Sequence, residues 1–150
     1  MMTGDMPPKA PVIETEFWIK GDDLDPDEFT RLVGIQPYRA GKKDEVSSHP
    51  AAAKQGVRNR TTFWFIEVEH HTYSMDEGIQ AVLHDIWPHR ERILEYARTR
   101  PSVTMGVNSV IHMYQDRPVY DISPDSIKKL ADLGCGFMIG DIYPLEETES

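Results

Sequence analysis

The residues able to do chemistry are scattered along this chain. Its six histidines are His49, His70, His71, His84, His89 and His112. A zinc-protease helix needs two histidines four apart on one face, with a glutamate between. His84 and His89 are five apart, with Pro88 interposed. His70 and His71 are adjacent in a strand-like run, so they point to opposite faces. Cys135 lies between Gly134 and Gly136 at a helix exit. It lacks the helix N-terminus or cationic neighbour that activates a thiol, and reads as a small buried residue. Those glycines follow a helix and precede a strand, the reverse of a dinucleotide loop. Asp22, Asp23, Asp25 and Asp27 lack the mid-loop glycine and distal glutamate of a calcium loop. No serine–histidine–acid set and no P-loop can be assigned. The expectation is no metal, no cofactor and no enzymatic activity. One catalytic combination stays open: His112, Asp141 and Tyr143 would meet if the last two strands pair. Alternation groups Asp141 with Phe137 and Ile139, as a buried carboxylate in need of a partner.

Charge says more. Asp plus Glu number 25 against 16 Lys plus Arg, a net charge of −9. That argues against nucleic acid, whose binders need a basic surface. It suits a basic protein partner through complementary, steering potentials. The acids concentrate at Glu14, Glu16, Asp22, Asp23, Asp25, Asp27 and Glu28, with Glu146, Glu147 and Glu149 in the tail. Asp22, Asp23, Asp27 and Glu28 are the candidate partner-binding residues. One basic segment interrupts the acidity. Its Arg39, Lys42, Lys43 and Arg58 offer the alternative, a loop folding over a small anionic ligand.

The chain of 150 residues is long enough for one self-sufficient core. Its single cysteine excludes an internal disulfide. No apolar run approaches the roughly 18–20 residues of a membrane span, and the N-terminus lacks a signal-peptide core. A cytoplasmic protein with no membrane partner is expected.

The elements that must position these residues carry a repeat. DLDPDEFTRLV at residues 23–33 returns as DISPDSIKKLA at 121–131. Asp23, Pro26, Asp27 and Leu32 become Asp121, Pro124, Asp125 and Leu130. Each copy reads as a strand end and then a helix, with Asp25 or Ser123 as N-cap and proline at the first helical position. Gly34 and Gly134 stop the two helices. Strands are predicted over 12–21, 61–70, 102–114 (strand or hairpin) and 137–143, with 118–122 as a possible extension. Ser74 and Glu77 form a capping-box pattern ahead of an apolar stripe. Pro88 breaks or kinks that helix, and Ile93, Leu94 and Ala97 continue the stripe. Residues 36–60 show no period, apart from a helical turn after Pro50. The predicted fold is α+β: two pseudo-repeated β-α-β units in a ferredoxin-like, mostly antiparallel sheet, with a helical insertion between them. Residues 12–144 form the domain, 1–11 a disordered arm and 145–150 a frayed acidic tail.

Several of these residues together resemble the domain-of-unknown-function family 4279. They are Gly21-Asp22, Leu24-Asp25-Pro26, Thr30, Leu32, Gly34-Ile35, Pro37, Gly41, Trp64, Leu130-Ala131, Leu133-Gly134, Ile139, Asp141, Ile142 and Tyr143. The resemblance spans about residues 13–143 and departs from the pattern at Val33 and Gly140. It implies a small cytoplasmic bacterial α+β module, similar to immunity proteins that neutralise a toxin by binding it. It transfers no catalytic residue.

Overall fold

The computed structural model describes residues 9–145. The chain runs β1 (Val12–Lys20), α1 (Pro26–Val33), β2 (Arg39–Gly41), α2 (Pro50–Lys54), β3 (Phe63–His71), α3 (Met75–Ile86), a 3-10 turn (Trp87–His89), α4 (Arg90–Arg98), β4 (Thr104–Met113), α5 (Pro124–Asp132) and β5 (Cys135–Pro144). This is an α+β fold around a five-stranded sheet ordered β2-β3-β1-β4-β5. Its pairs are antiparallel except β4–β5. No helix among the described residues is long and apolar enough to cross a membrane.

The strand pairing does not confirm the predicted two-unit arrangement. The strands flanking α1 in that prediction, β1 and β3, are antiparallel neighbours, whereas β4 and β5 around α5 are parallel neighbours. The difference comes from β2, a three-residue strand within the segment 36–60, where the sequence shows no period. It pairs with β3 from Arg39↔Phe65 to Gly41↔Phe63. β1 and β2 therefore run the same way on either side of β3, and β3 and β4 run the same way on either side of β1. Beyond β2 the chain is not structureless. Val46 bridges Arg58, and α2 caps the excursion. Residues 118–122 form no strand; Val119 makes one bridge, to Ser74.

The local signals hold at the helix ends. Asp25 Oδ1 accepts from the amides of Asp27 and Glu28, at 3.1 and 3.2 Å. Ser123 Oγ accepts from the amide of Ser126 at 3.1 Å. Gly34 and Gly134 both take the left-handed conformation, at φ 68°. Pro88 sits in the 3-10 turn that divides α3 from α4. Ser74 departs from expectation: it stands at the N-cap of α3 but makes no side-chain cap. Its hydroxyl instead donates to Asp121 Oδ2, at 2.8 Å, and Asp121 Oδ1 accepts from the amide of Asp76.

That exchange is reciprocal. Asp76, in the first turn of α3, accepts from the amide of Ser123 at the start of α5, at 3.0 Å, and from Gln80. Each carboxylate thus satisfies amides at the other helix's N-terminus, where orphan donors and the helix dipole favour negative charge. The repeated aspartates are explained the same way. Asp23 accepts from the amide of Ser102 and donates its own amide to the Ser102 hydroxyl. In both copies the aspartate two places before the N-cap ties that segment to a neighbouring one.

The core lies on one face of the sheet. Ile13, Phe17 and Ile19 of β1, Trp64 of β3, and Val107 and Ile111 of β4 are fully buried there beneath Phe29, Ile79, Val82, Ile86 and Ile93. Trp64 anchors it: Phe29 meets its ring edge-on at 4.8 Å, and its indole N–H donates to Thr30 Oγ1 at 2.9 Å. α3 comes close to the sheet because Gly78 rests on Thr15. A Cβ there would stand 2.1 Å from Thr15 Oγ1. Gly78→Ala should therefore destabilise the protein by about 1–3 kcal/mol despite alanine's better helix propensity. Chemical denaturation checks this; an unchanged midpoint would contradict the packing.

Candidate binding face

Alternation along the strands leaves the second sheet face without a helical layer among the described residues. β1 buries every second residue, so Glu14, Glu16, Trp18 and Lys20 project to the other side. Register then assembles a cluster from separate strands. Glu14 lies opposite Glu69, Glu16 opposite Glu67, and Trp18 opposite Phe65. On the far side of β1, Glu16 lies opposite Asn108 and Trp18 opposite Gly106. Four carboxylates thus occupy the centre of the open face in two directly opposed pairs. Like charges in that arrangement destabilise a sheet.

Their surroundings sharpen the effect. Partial burial raises the Glu67 carboxyl to about 7, helped by the charges of Glu14, Glu16 and Glu69; Arg39 opposes the rise. Burial also raises Glu16, and Glu14 adds to it. The hydrogen bond from Asn108 and the charge of Arg39 pull the other way. Asn108 connects this cluster to the aromatic side. Its Nδ2 donates to Glu16 Oε1, while its Oδ1 accepts from the indole of Trp18, both at 3.1 Å. Trp18 lies across Gly106, where a Cβ would stand 2.4 Å from the indole. The Lys20 ammonium sits 4.7 Å above its ring. Phe63 and Phe65 stack beside it with centroids 6.1 Å apart.

The open face ends in a second polar group. His112 Nε2 lies 2.9 Å from Glu14 Oε1. The pair is not aligned as a hydrogen bond. His112 stacks on Tyr143 at 5.2 Å. A hydrogen bond to Asp141, then its charge, raises the Tyr143 hydroxyl. His112, Asp141 and Tyr143 do come together, as the pairing of the last strands requires. They lie on an exposed sheet surface with Asp141 exposed, not buried among apolar residues. A bulge is the reason. Register shifts between Ser109↔Ile139 and Val110↔Asp141, so Gly140 is an extra residue. Asp141 therefore faces opposite to Phe137 and Ile139.

Two of the four acids singled out near α1 are engaged within the chain. Asp23 is tied to Ser102, whose hydroxyl and amide hold its carboxyl below the usual range. Glu28 pairs with Arg100, which also lies over the Tyr96 ring. Asp22 is 3.9 Å from Lys43 Nζ, and Asp27 is exposed in the first turn of α1. The basic residues are divided as well. Arg58 donates to the Asp44 carbonyl at 2.7 Å. The amide of Lys43 donates to Thr62 Oγ1, and that of Lys42 to Glu45. Arg39 belongs to β2 and faces the glutamates. Burial pushes the Cys135 thiol up to about 12, in keeping with an unreactive packing residue. No group of three His, Cys, Asp or Glu among the described residues is arranged to hold a metal ion. The tail acids Glu146, Glu147 and Glu149 lie outside the described residues.

The central glutamates were missed because each occupies an ordinary alternating polar position in its own strand. Only the register of β1 between β3 and β4 makes them one site. Comparison with curated proteins and with solved structures gives no match. A family model described as "Domain of unknown function (DUF4279)" matches residues 11–144. That match covers every strand and helix described above, and the chain belongs to this family.

Proposed function

We propose that the protein is a binding module, not an enzyme, and that it presents its open sheet face to a basic protein partner. The observation that carries this reading is the two opposed glutamate pairs, Glu14↔Glu69 and Glu16↔Glu67, on a face that no described helix covers. Their mutual repulsion costs the free protein stability and is relieved when cations dock between them. Trp18, Phe63, Phe65 and Tyr143 supply the aromatic surface that anchors protein interfaces. In its sharper form, the reading is a cytoplasmic immunity-type protein that neutralises a basic toxin by direct binding. Asp22 and Asp27 then serve as outlying charges that steer the approach. The Arg39 charge acting on the glutamates, Arg58 bound to the Asp44 carbonyl and Lys43 beside Asp22 favour this over a small anion held by Arg39, Lys42, Lys43 and Arg58. The order β2-β3-β1-β4, with α1 and then α3–α4 linking strands of like direction, supports a ferredoxin-like reading of those four strands, with α5 and β5 appended.

The test is capture with the tagged protein from native cells at low and high salt. One stoichiometric basic protein, released by salt and suppressing growth unless the two are co-expressed, is the expected result. Capture that is unaffected by salt, or a partner that is acidic, would overturn it.

A further inference from the structure

A second interaction surface lies at the edge of the sheet. β5 is the last strand in the order, so half of its backbone groups point away from the sheet. Natural proteins blunt such edges with short strands, charges, prolines or bulges, and of these β5 has the bulge at Gly140, the single charge of Asp141 and the terminal Pro144. The opposite edge, β2, is only three residues long and continues into a charged hairpin. β5 is ten residues long, and its sequence CGFMIGDIYP contains one charge, Asp141. Met138, Ile139, Ile142 and Tyr143 are between 37% and 50% exposed. They stand on both sides of the sheet, which widens the apolar surface. Ile127 of α5, the helix that packs on β5, adds another exposed apolar side chain.

The bulge makes this edge self-complementary. With Gly140 as the extra residue, Met138 and Tyr143 face the open side, while Ile139 and Ile142 face the helical side. Consider an antiparallel copy whose two-fold axis passes between Gly140 and Asp141. Met138 then stands opposite the partner's Tyr143, and Ile139 opposite the partner's Ile142. All four pairings of the two-fold keep each side chain on its own side of the sheet. Asp141 stands opposite the partner's Gly140, with its own mate diagonally across the axis on the open side. The acidic open face cannot serve this purpose, because two copies placed face to face would oppose eight glutamates.

We propose that β5 pairs with β5 of a second copy of this chain, joining two sheets into one of ten strands. The interface is isologous and closed, as a two-fold requires. It leaves the open face of each protomer free and extends it across the dimer.

Sedimentation equilibrium over a wide concentration range tests this. The expected species has twice the 17.2 kDa chain mass. Met138→Lys and Ile142→Lys, one on each side of the sheet, should each weaken the dimer at least tenfold with unchanged circular dichroism. A wild-type monomer throughout would overturn the proposal. So would lysine variants that dimerise like wild type. Should the variants unfold, hydrogen exchange of the wild type decides. Protection of the 138–143 amides that rises with concentration supports the pairing, and concentration-independent exchange there refutes it.

Discussion

Replacing Asp76 by alanine is expected to destabilise the protein by about 3 kcal/mol, because a buried carboxylate that ties the first turn of α3 to the start of α5 is lost. Asp76 is only 4% exposed. Burial alone would raise its carboxyl. The amide of Ser123 outweighs it, together with the hydroxyls of Ser126 and Ser123 and the amide of Gln80, and the net direction is downward. The sign of the pH dependence follows. A carboxyl held lower in the folded chain than in the unfolded one contributes stability above the unfolded value, and that contribution fades as pH falls through the folded value. Wild type should therefore lose stability below about pH 4, and Asp76→Ala should lose less over that range. Asp76→Asn keeps one acceptor and should cost less than alanine. For a chain of this size the alanine variant should melt about 6–12 °C lower. A shift under about 2 °C would mean that the two helix starts are not held together by this residue.

Converting Glu14, Glu16, Glu67 and Glu69 to glutamine should have the opposite effect on stability and a larger one on binding. The raised Glu67 carboxyl, at about 7, binds its proton more tightly in the folded chain than in the unfolded one. Its contribution is present below the unfolded value near 4.5 and disappears as pH rises through about 7. Above that, folding must hold the charge among its neighbours. After allowing for solvent screening of a partly exposed group, Glu67→Gln alone should stabilise by about 1–2 kcal/mol at pH 8. At pH 4 it should do almost nothing. The fourfold variant should be more stable still, yet bind the basic partner about a hundredfold more weakly. Gains in stability with loss of binding are the signature of a surface kept for function. Equal stability of wild type and Glu67→Gln at both pH values would remove the electrostatic argument.

What the sequence made legible was local. Asp25, Ser123, Gly34, Gly134 and Pro88 act within a turn or two of themselves, and their roles follow from backbone geometry alone. The repeated Asp23 and Asp121 were visible as a pattern, but their partners, Ser102 and the start of α3, are distant in sequence. β2 was illegible because three residues cannot display alternation; its existence depends on the hydrogen bonds that β3 offers. That short strand decided the topology. Ser74 and Glu77 matched a capping box, but a carboxylate from another segment took the cap. Residues 102–114 allowed a strand or a hairpin; they form one strand, in which Gly106 makes room for Trp18. Asp141 was assigned to the wrong side because one extra glycine reverses the alternation. The acidic face was the least legible feature, since it exists only through the pairing of three strands.

The most direct test of the binding face is a hydrogen-exchange and carboxyl-footprinting comparison of the free protein with its complex with the captured partner. The account predicts protection at Glu14, Glu16, Glu67 and Glu69 and in the amides of β1 and β3, with α1 almost unchanged. Protection centred on Asp22, Asp27 and the start of α1, with the four glutamates still reactive, would contradict it.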